Sequence, residues 1–167
     1  MTTQDLAPDQ RDTREMLSDF VHEEAELADQ HRYEEWLALW NPQRALYLVP
    51  YRENGTGSQR VSVIRDDFDQ LAARIVRLRS GAAHSQDPPS SLCRVLGRVR
   101  PIKSDSAAWV VTSNFVCMES RPGRDLIVWS GTYTHTIAFA DDRFELWRKE
   151  VRLVNIAADL PPLTFLI

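Results

Sequence analysis

The sequence predicts an α+β roll: a curved, mainly antiparallel sheet wrapped around three N-terminal helices to form a cone. Three observations carry this reading. From Asp125 to Phe139 the residues Ile127, Trp129, Gly131, Tyr133, His135, Ile137 and Phe139 alternate with Ser130, Thr132, Thr134 and Thr136. Period-two alternation of β-branched and aromatic residues is the mark of a strand with one buried face. Three more segments of similar length, Leu92–Ile102, Trp109–Met118 and Phe144–Ile156, flank it with short connections, which gives a four-stranded meander. Before the meander, the apolar residues recur at intervals of three and four, as in helices.

With 167 residues and a net charge of −4, one domain is expected at 13–167, preceded by a polar arm at 1–12 that is disordered or contacts a partner. A first helix runs from Thr13 to about Gln30, with Leu17, Phe20, Val21, Ala25, Leu27 and Ala28 apolar and Glu23, Glu24 and Glu26 on the polar side. A short helix from Tyr33 to Trp40 stops at Asn41-Pro42. Ala45–Pro50 and Val61–Ile64 form a small hairpin around the loop Arg52–Gln59. Asp66 is expected to cap a third helix, Phe68–Arg79, closed by Gly81. Ala82–Ser91, stiffened by Pro88-Pro89, leads into the meander.

Within the meander, Cys93, Val95 and Val99 are expected to face inward, and Arg94, Arg98 and Arg100 outward toward solvent or a partner. Asp141-Asp142 is expected to make a tight turn, and the alternation slips near Trp147, where a bulge fits.

Several function classes are excluded by composition. Lys and Arg number 20 against 24 Asp and Glu, so there is no basic field for nucleic acid or an anionic membrane. No apolar run is long enough to span a bilayer and no signal peptide opens the chain, so a cytoplasmic location is expected. Two isolated cysteines make neither a disulfide framework nor a structural zinc site.

Candidate chemistry is sparse. His22 and Glu26 have helical metal-ligand spacing, but no third ligand sits at a matching position, and an exposed polar face accounts for them. His135 shares a face with Trp129 and Tyr133, so it should point into the cone, where a neutral imidazole could act as a base with Asp29 as its carboxylate partner. The alternatives are a core histidine satisfied by one hydrogen bond and a helix-end carboxylate bonded to the next turn. His84, beside Asp87 and Pro88, lies on a proline-ordered loop suited to meeting a partner.

Segments spread along the chain resemble the small (beta) subunit of aromatic-ring-hydroxylating dioxygenases, the Rieske non-haem iron oxygenases. They are FVHEEAELADQHRYEEWLAL from Phe20, YLVPYREN from Tyr47, FDQLAARIVRLRSGAAHSQDPPS from Phe68, TSNFVCMESR from Thr112, Gly131, WRKEVRLVN from Trp147 and the tail Leu160–Ile167. The resemblance covers the chain from about Arg14 onward, and it rests on the order and spacing of these segments. It departs where the family commonly carries arginine, histidine and asparagine after the proline turn; Ser91, Arg94 and Arg98 stand there.

The resemblance implies a cystatin-like roll of the nuclear-transport-factor-two type. It also implies a non-catalytic assembly subunit of an oxidoreductase that converts aromatic compounds to cis-dihydrodiols with O2 and electrons from NAD(P)H. This chain would bind no cofactor or metal; a large (alpha) subunit would carry the Rieske 2Fe-2S cluster and the mononuclear Fe(II). The small subunit would trimerise within a hexamer of three large and three small subunits. Expected contact residues are His84, Asp87, Pro88, Arg94, Arg98, Arg100, Leu163 and Phe165. The alternative is a stand-alone lyase or isomerase, or a small-molecule binding protein, using a pocket at His135 and Asp29.

Overall fold

The computed structural model describes residues 8–51, 62–80, 89–104, 108–154 and 163–167. The expected loop Arg52–Gln59, Gly81, His84, Asp87 and Pro88 lie outside the described residues.

The first helix, α1, covers Pro8–Asp29 and so begins five residues before Thr13. Proline is accommodated in a first helical turn, because the amide it lacks would have no partner there. The second, α2, is short, Tyr33–Ala38; Trp40, expected inside it, makes an isolated parallel bridge with Leu146. The third, α3, spans Phe68–Arg79 as expected, but its cap is Asp67, not Asp66. Asp67 accepts from the Gln70 amide and the Gln70 side chain bonds back to the Asp67 amide, a reciprocal capping box. Asp66 ends a strand and holds Arg74 Nε at 2.6 Å.

Among the described residues seven strands form one sheet: β1 (Leu46–Pro50), β2 (Ser62–Asp66), β3 (Ser91–Leu96), β4 (Arg100–Ser104), β5 (Trp109–Ser120), β6 (Ile127–Ala140) and β7 (Arg143–Leu153). The order is β2-β1-β7-β6-β5-β3, with β4 also on β5; the pair β1 and β7 is parallel and the others antiparallel. The meander therefore has the expected connectivity. Asp141 and Asp142 both take positive φ (50° and 58°), the geometry of a two-residue hairpin turn. The register of β6 against β7 skips Trp147, so the bulge falls at the expected residue.

One expected strand is broken and its facing is reversed. Leu92–Ile102 divides into β3 and β4 at Gly97–Val99. In β3 the inward residues are Leu92, Arg94 and Leu96, while Cys93 and Val95 face out. After the break Val99 is buried and Arg98 and Arg100 are exposed. The two leucines bury more apolar area than the Cys93–Val95 pair, and the inward arginine is kept because it is fully partnered.

The core lies between the helices and the inner face of the sheet. Leu17, Phe20, Val21 and Ala28 of α1 and Trp36 and Trp40 meet Tyr47, Phe115, Trp129, Tyr133, Leu146 and Val151 from the strands. Phe165, Leu166 and Ile167 are also buried in it. Leu163 packs against the same cluster.

Candidate functional site

The centre of the cone is charged. On α1, Glu24 shares the buried stripe of Leu17, Phe20, Val21 and Ala28, and it is completely shielded from solvent. Lys149 stands on the inner face of β7 two residues before Val151, and it too is completely buried. Its ammonium donates to both Glu24 oxygens, at 2.9 and 3.2 Å, and lies 4.3 Å from the centre of the Tyr133 ring. Trp36 Nε1 donates to the same carboxylate at 2.6 Å. Burial alone would raise the Glu24 pKa; the charge of Lys149, helped by His135, overrides it and holds the carboxyl far below its ordinary value. Burial lowers the Lys149 pKa against the pull of Glu24.

His135 points into the cone as expected and is fully buried. Its carboxylate neighbour is Glu24, with Nε2 3.6 Å from Oε2, beyond hydrogen-bond reach. Among the described residues neither ring nitrogen has a hydrogen-bond partner. Burial holds the imidazole below its ordinary pKa, and so in the neutral form.

Asp29 does not reach His135. It accepts from the Arg94 amide at 2.7 Å and from the Arg94 guanidinium. The expected Asp29–His135 pair is thus not assembled, because β3 brings Arg94 to the end of α1. The Arg94 guanidinium also donates to Tyr133 Oη at 3.2 Å and to the Leu166 carbonyl. Burial works against its charge, but Tyr133, Cys117 and Asp29 keep its pKa raised. Tyr47 completes the tie, donating to the Ile167 carbonyl at 2.7 Å and accepting from the Ile167 amide at 3.0 Å. The segment 163–167 is thereby fastened inside its own chain, and Phe165 sits edge-on to Trp129. Arg94 and Phe165, expected at a subunit surface, are interior residues.

A second polar cluster closes the neighbouring end. Ser90 Oγ and Trp129 Nε1 donate to Glu119, at 2.6 and 3.0 Å, and Arg121 Nε donates to Ser90 Oγ. His31, at positive φ, bonds the Ser90 carbonyl through Nε2 and Tyr33 Oη through Nδ1. Since a carbonyl only accepts, Nε2 carries the hydrogen.

Sequence reasoning missed Glu24 and Lys149. The signal was present: Glu24 falls between Val21 and Ala28 on the apolar stripe, and Lys149 alternates with Val151 and Leu153. A charge on a core stripe at both places calls for a buried pair.

His22 and Glu26 are exposed, bonded to Ser18 and Gln30, and no group of three candidate metal ligands occurs among the described residues. Cys93 is exposed and Cys117 is buried, its thiol pushed up to about 11 by burial.

Residues 23–158 match the family described as the ring hydroxylating beta subunit. The chain belongs to this family. It is 29% identical over 114 residues to the small oxygenase component of the p-cumate 2,3-dioxygenase system of Pseudomonas putida, a match covering 66% of this chain and 63% of that protein. Among solved structures, naphthalene 1,2-dioxygenase with indole bound in its active site aligns with a TM-score of 0.81 at 16% identity, over 98% of this chain and 89% of that one. The beta subunit of benzoate 1,2-dioxygenase from Burkholderia mallei aligns with a TM-score of 0.74 at 20% identity, over 99% and 100%. At such identities these two likenesses show the fold. In this ring hydroxylating beta subunit, the buried Glu24–Lys149 pair and the Arg94 clasp tie the helices to the sheet.

Proposed function

We propose that this ring hydroxylating beta subunit is the non-catalytic assembly partner of a large oxygenase subunit, in a system that adds both atoms of O2 to an aromatic ring. The large subunit would hold the Rieske 2Fe-2S cluster and the mononuclear Fe(II), fed by electrons from NAD(P)H, and the product would be a cis-dihydrodiol. The small subunit would self-associate as a trimer inside a hexamer of three large and three small chains, in the cytoplasm. No helix among the described residues is long and apolar enough to cross a membrane.

The observation that carries this reading is the filled centre of the cone. A catalytic pocket needs polar groups converging on a space that substrate can enter. Here Glu24, Lys149 and His135 converge, but all three are sealed, with Trp36 and Tyr133 packed against them. The lyase or isomerase alternative loses its dyad for the same reason, since Asp29 is committed to Arg94.

The test is native mass by light scattering, for the chain alone and after co-expression with a large oxygenase subunit. A trimer that becomes a larger, iron-containing complex is the expected result. A monomer or dimer that ignores the large subunit overturns the proposal.

A further inference from the structure

α1, the end of α2 and the β6–β7 hairpin frame a surface groove of about 380 Å³, lined by Met16, Asp19, Phe20, Glu23, Leu39 and Phe144 among others. Its floor is aromatic. Phe144 lies 5.8 Å from Phe20, 6.1 Å from Trp109 and 5.2 Å from Phe139, ring centre to ring centre. Met16 and Phe139 are each about half exposed, at 49% and 48%. Contiguous large apolar side chains open to solvent mark an interaction surface, and clustered aromatics supply its anchors.

The rim of the groove is acidic. Asp19 and Glu23 are exposed and make no salt bridge among the described residues, while Arg143 is engaged by Glu145 at 3.5 Å. A complementary surface exists on the same chain. Arg98 and Arg100 are exposed, neither has an ion-pair partner among the described residues, and Ile102 just beyond them is 60% exposed. Two cations beside an exposed isoleucine match two carboxylates around an aromatic floor.

We propose that the stretch Arg98–Ile102 of one copy docks in the Asp19–Glu23–Phe144 groove of a second copy. This deepens the assembly reading above and rests on it. A foreign partner would have to bring the cations and the apolar anchor; a second copy already has both. Because groove and docking stretch are different patches, the contact is head-to-tail and repeats around the closed ring of three.

The experiment uses the full chain and charge reversal. Arg98→Glu with Arg100→Glu, and separately Asp19→Lys with Glu23→Lys, change only exposed side chains, and circular dichroism checks that both proteins fold. Light scattering across a dilution series is expected to show self-association weakened roughly tenfold or more in each, and recovered in a single chain that carries all four reversals, where every contact is complementary again. Unchanged mass in either variant, or a four-reversal chain that stays dissociated, overturns the proposal. A wild-type chain that is monomeric yet copurifies with a large oxygenase subunit overturns this docking and leaves the assembly reading standing. A chain that does neither overturns both.

Discussion

Lys149 Nζ lies 2.9 Å from Glu24 Oε1, and neither side chain touches solvent. A pair so deeply buried gives little net stability relative to an apolar pair of the same volume, because desolvating both ions costs about as much as their attraction returns. Breaking it is another matter. Lys149→Met is expected to destabilise the fold by about 3–5 kcal/mol, since it leaves the Glu24 carboxylate buried with only the Trp36 indole as donor. Glu24→Gln combined with Lys149→Met should recover most of that loss. Urea denaturation of the two single variants and the double variant closes the cycle, and a double variant as unstable as the sum of the singles would refute the coupling.

His135 sets a pH dependence at milder acidity. Burial lowers its pKa below the ordinary 6.5; nearby Glu24 pulls it back up and Lys149 pushes it further down. Tyr133 faces it edge-on and remains a neutral phenol, its own pKa raised by burial. A histidine with a depressed folded pKa takes up its proton more readily in the unfolded chain. Stability is therefore independent of His135 well above pH 6.5 and falls as pH drops through that value, at up to roughly 1.4 kcal/mol per pH unit. The Glu24 carboxylate, depressed below its ordinary 4.5, adds a loss of the same sign in a lower window, as the unfolded carboxyl begins to protonate. Denaturant titrations between pH 5 and 8 should show the upper slope in the wild type and a flatter profile in His135→Gln. Equal slopes would mean that His135 does not titrate on unfolding.

The architecture was legible because it is written in long, regular patterns. The alternation of β6 predicts its buried face from Trp129 to Ile137, the Asp141-Asp142 turn and the Trp147 bulge follow from local signals, and α3 has the expected bounds, Phe68–Arg79. The interior chemistry was less legible, because a charged residue on a strand is ordinarily assigned to the solvent face. That rule reversed β3, where Arg94 is drawn inward by Asp29, Tyr133 and the Leu166 carbonyl, partners 65, 39 and 72 residues away. It also moved Glu24 to the wrong side of α1. Such contacts are long-range, and only the fold brings them together.

The segment 163–167 links Tyr47 of β1 to Arg94 of β3 through the core. Phe165 is 1% exposed and Ile167 is completely buried, bracketed by Tyr47 and Arg94 through Leu166. Phe165→Ala is expected to cost about 3–5 kcal/mol, the range for emptying an aromatic site in a packed core. Tyr47→Phe should cost less, about 1–3 kcal/mol, because it leaves the Ile167 amide and carbonyl without the hydroxyl. Thermal denaturation distinguishes this from a purely intersubunit role: a residue that serves only at an interface would leave the melting temperature of dilute, dissociated chains unchanged.

Gly131 marks a close approach of β6 and β7. It pairs with Leu153, and a Cβ built on it would stand 2.1 Å from the Arg152 carbonyl oxygen and 2.9 Å from its carbon. Both are backbone atoms, so no side-chain rotation can relieve the clash, and the strands themselves must part. Glycine within an otherwise regular strand is the sequence mark of such an approach. Gly131→Ala is therefore expected to destabilise by about 1–3 kcal/mol or more, as overpacking does, although alanine has the better intrinsic strand entropy. Hydrogen exchange should locate the damage: faster exchange of the β6 and β7 amides around Thr132 and Leu153, with α3 protected as in the wild type. Stability and exchange equal to wild type would show that the two strands can move apart without cost.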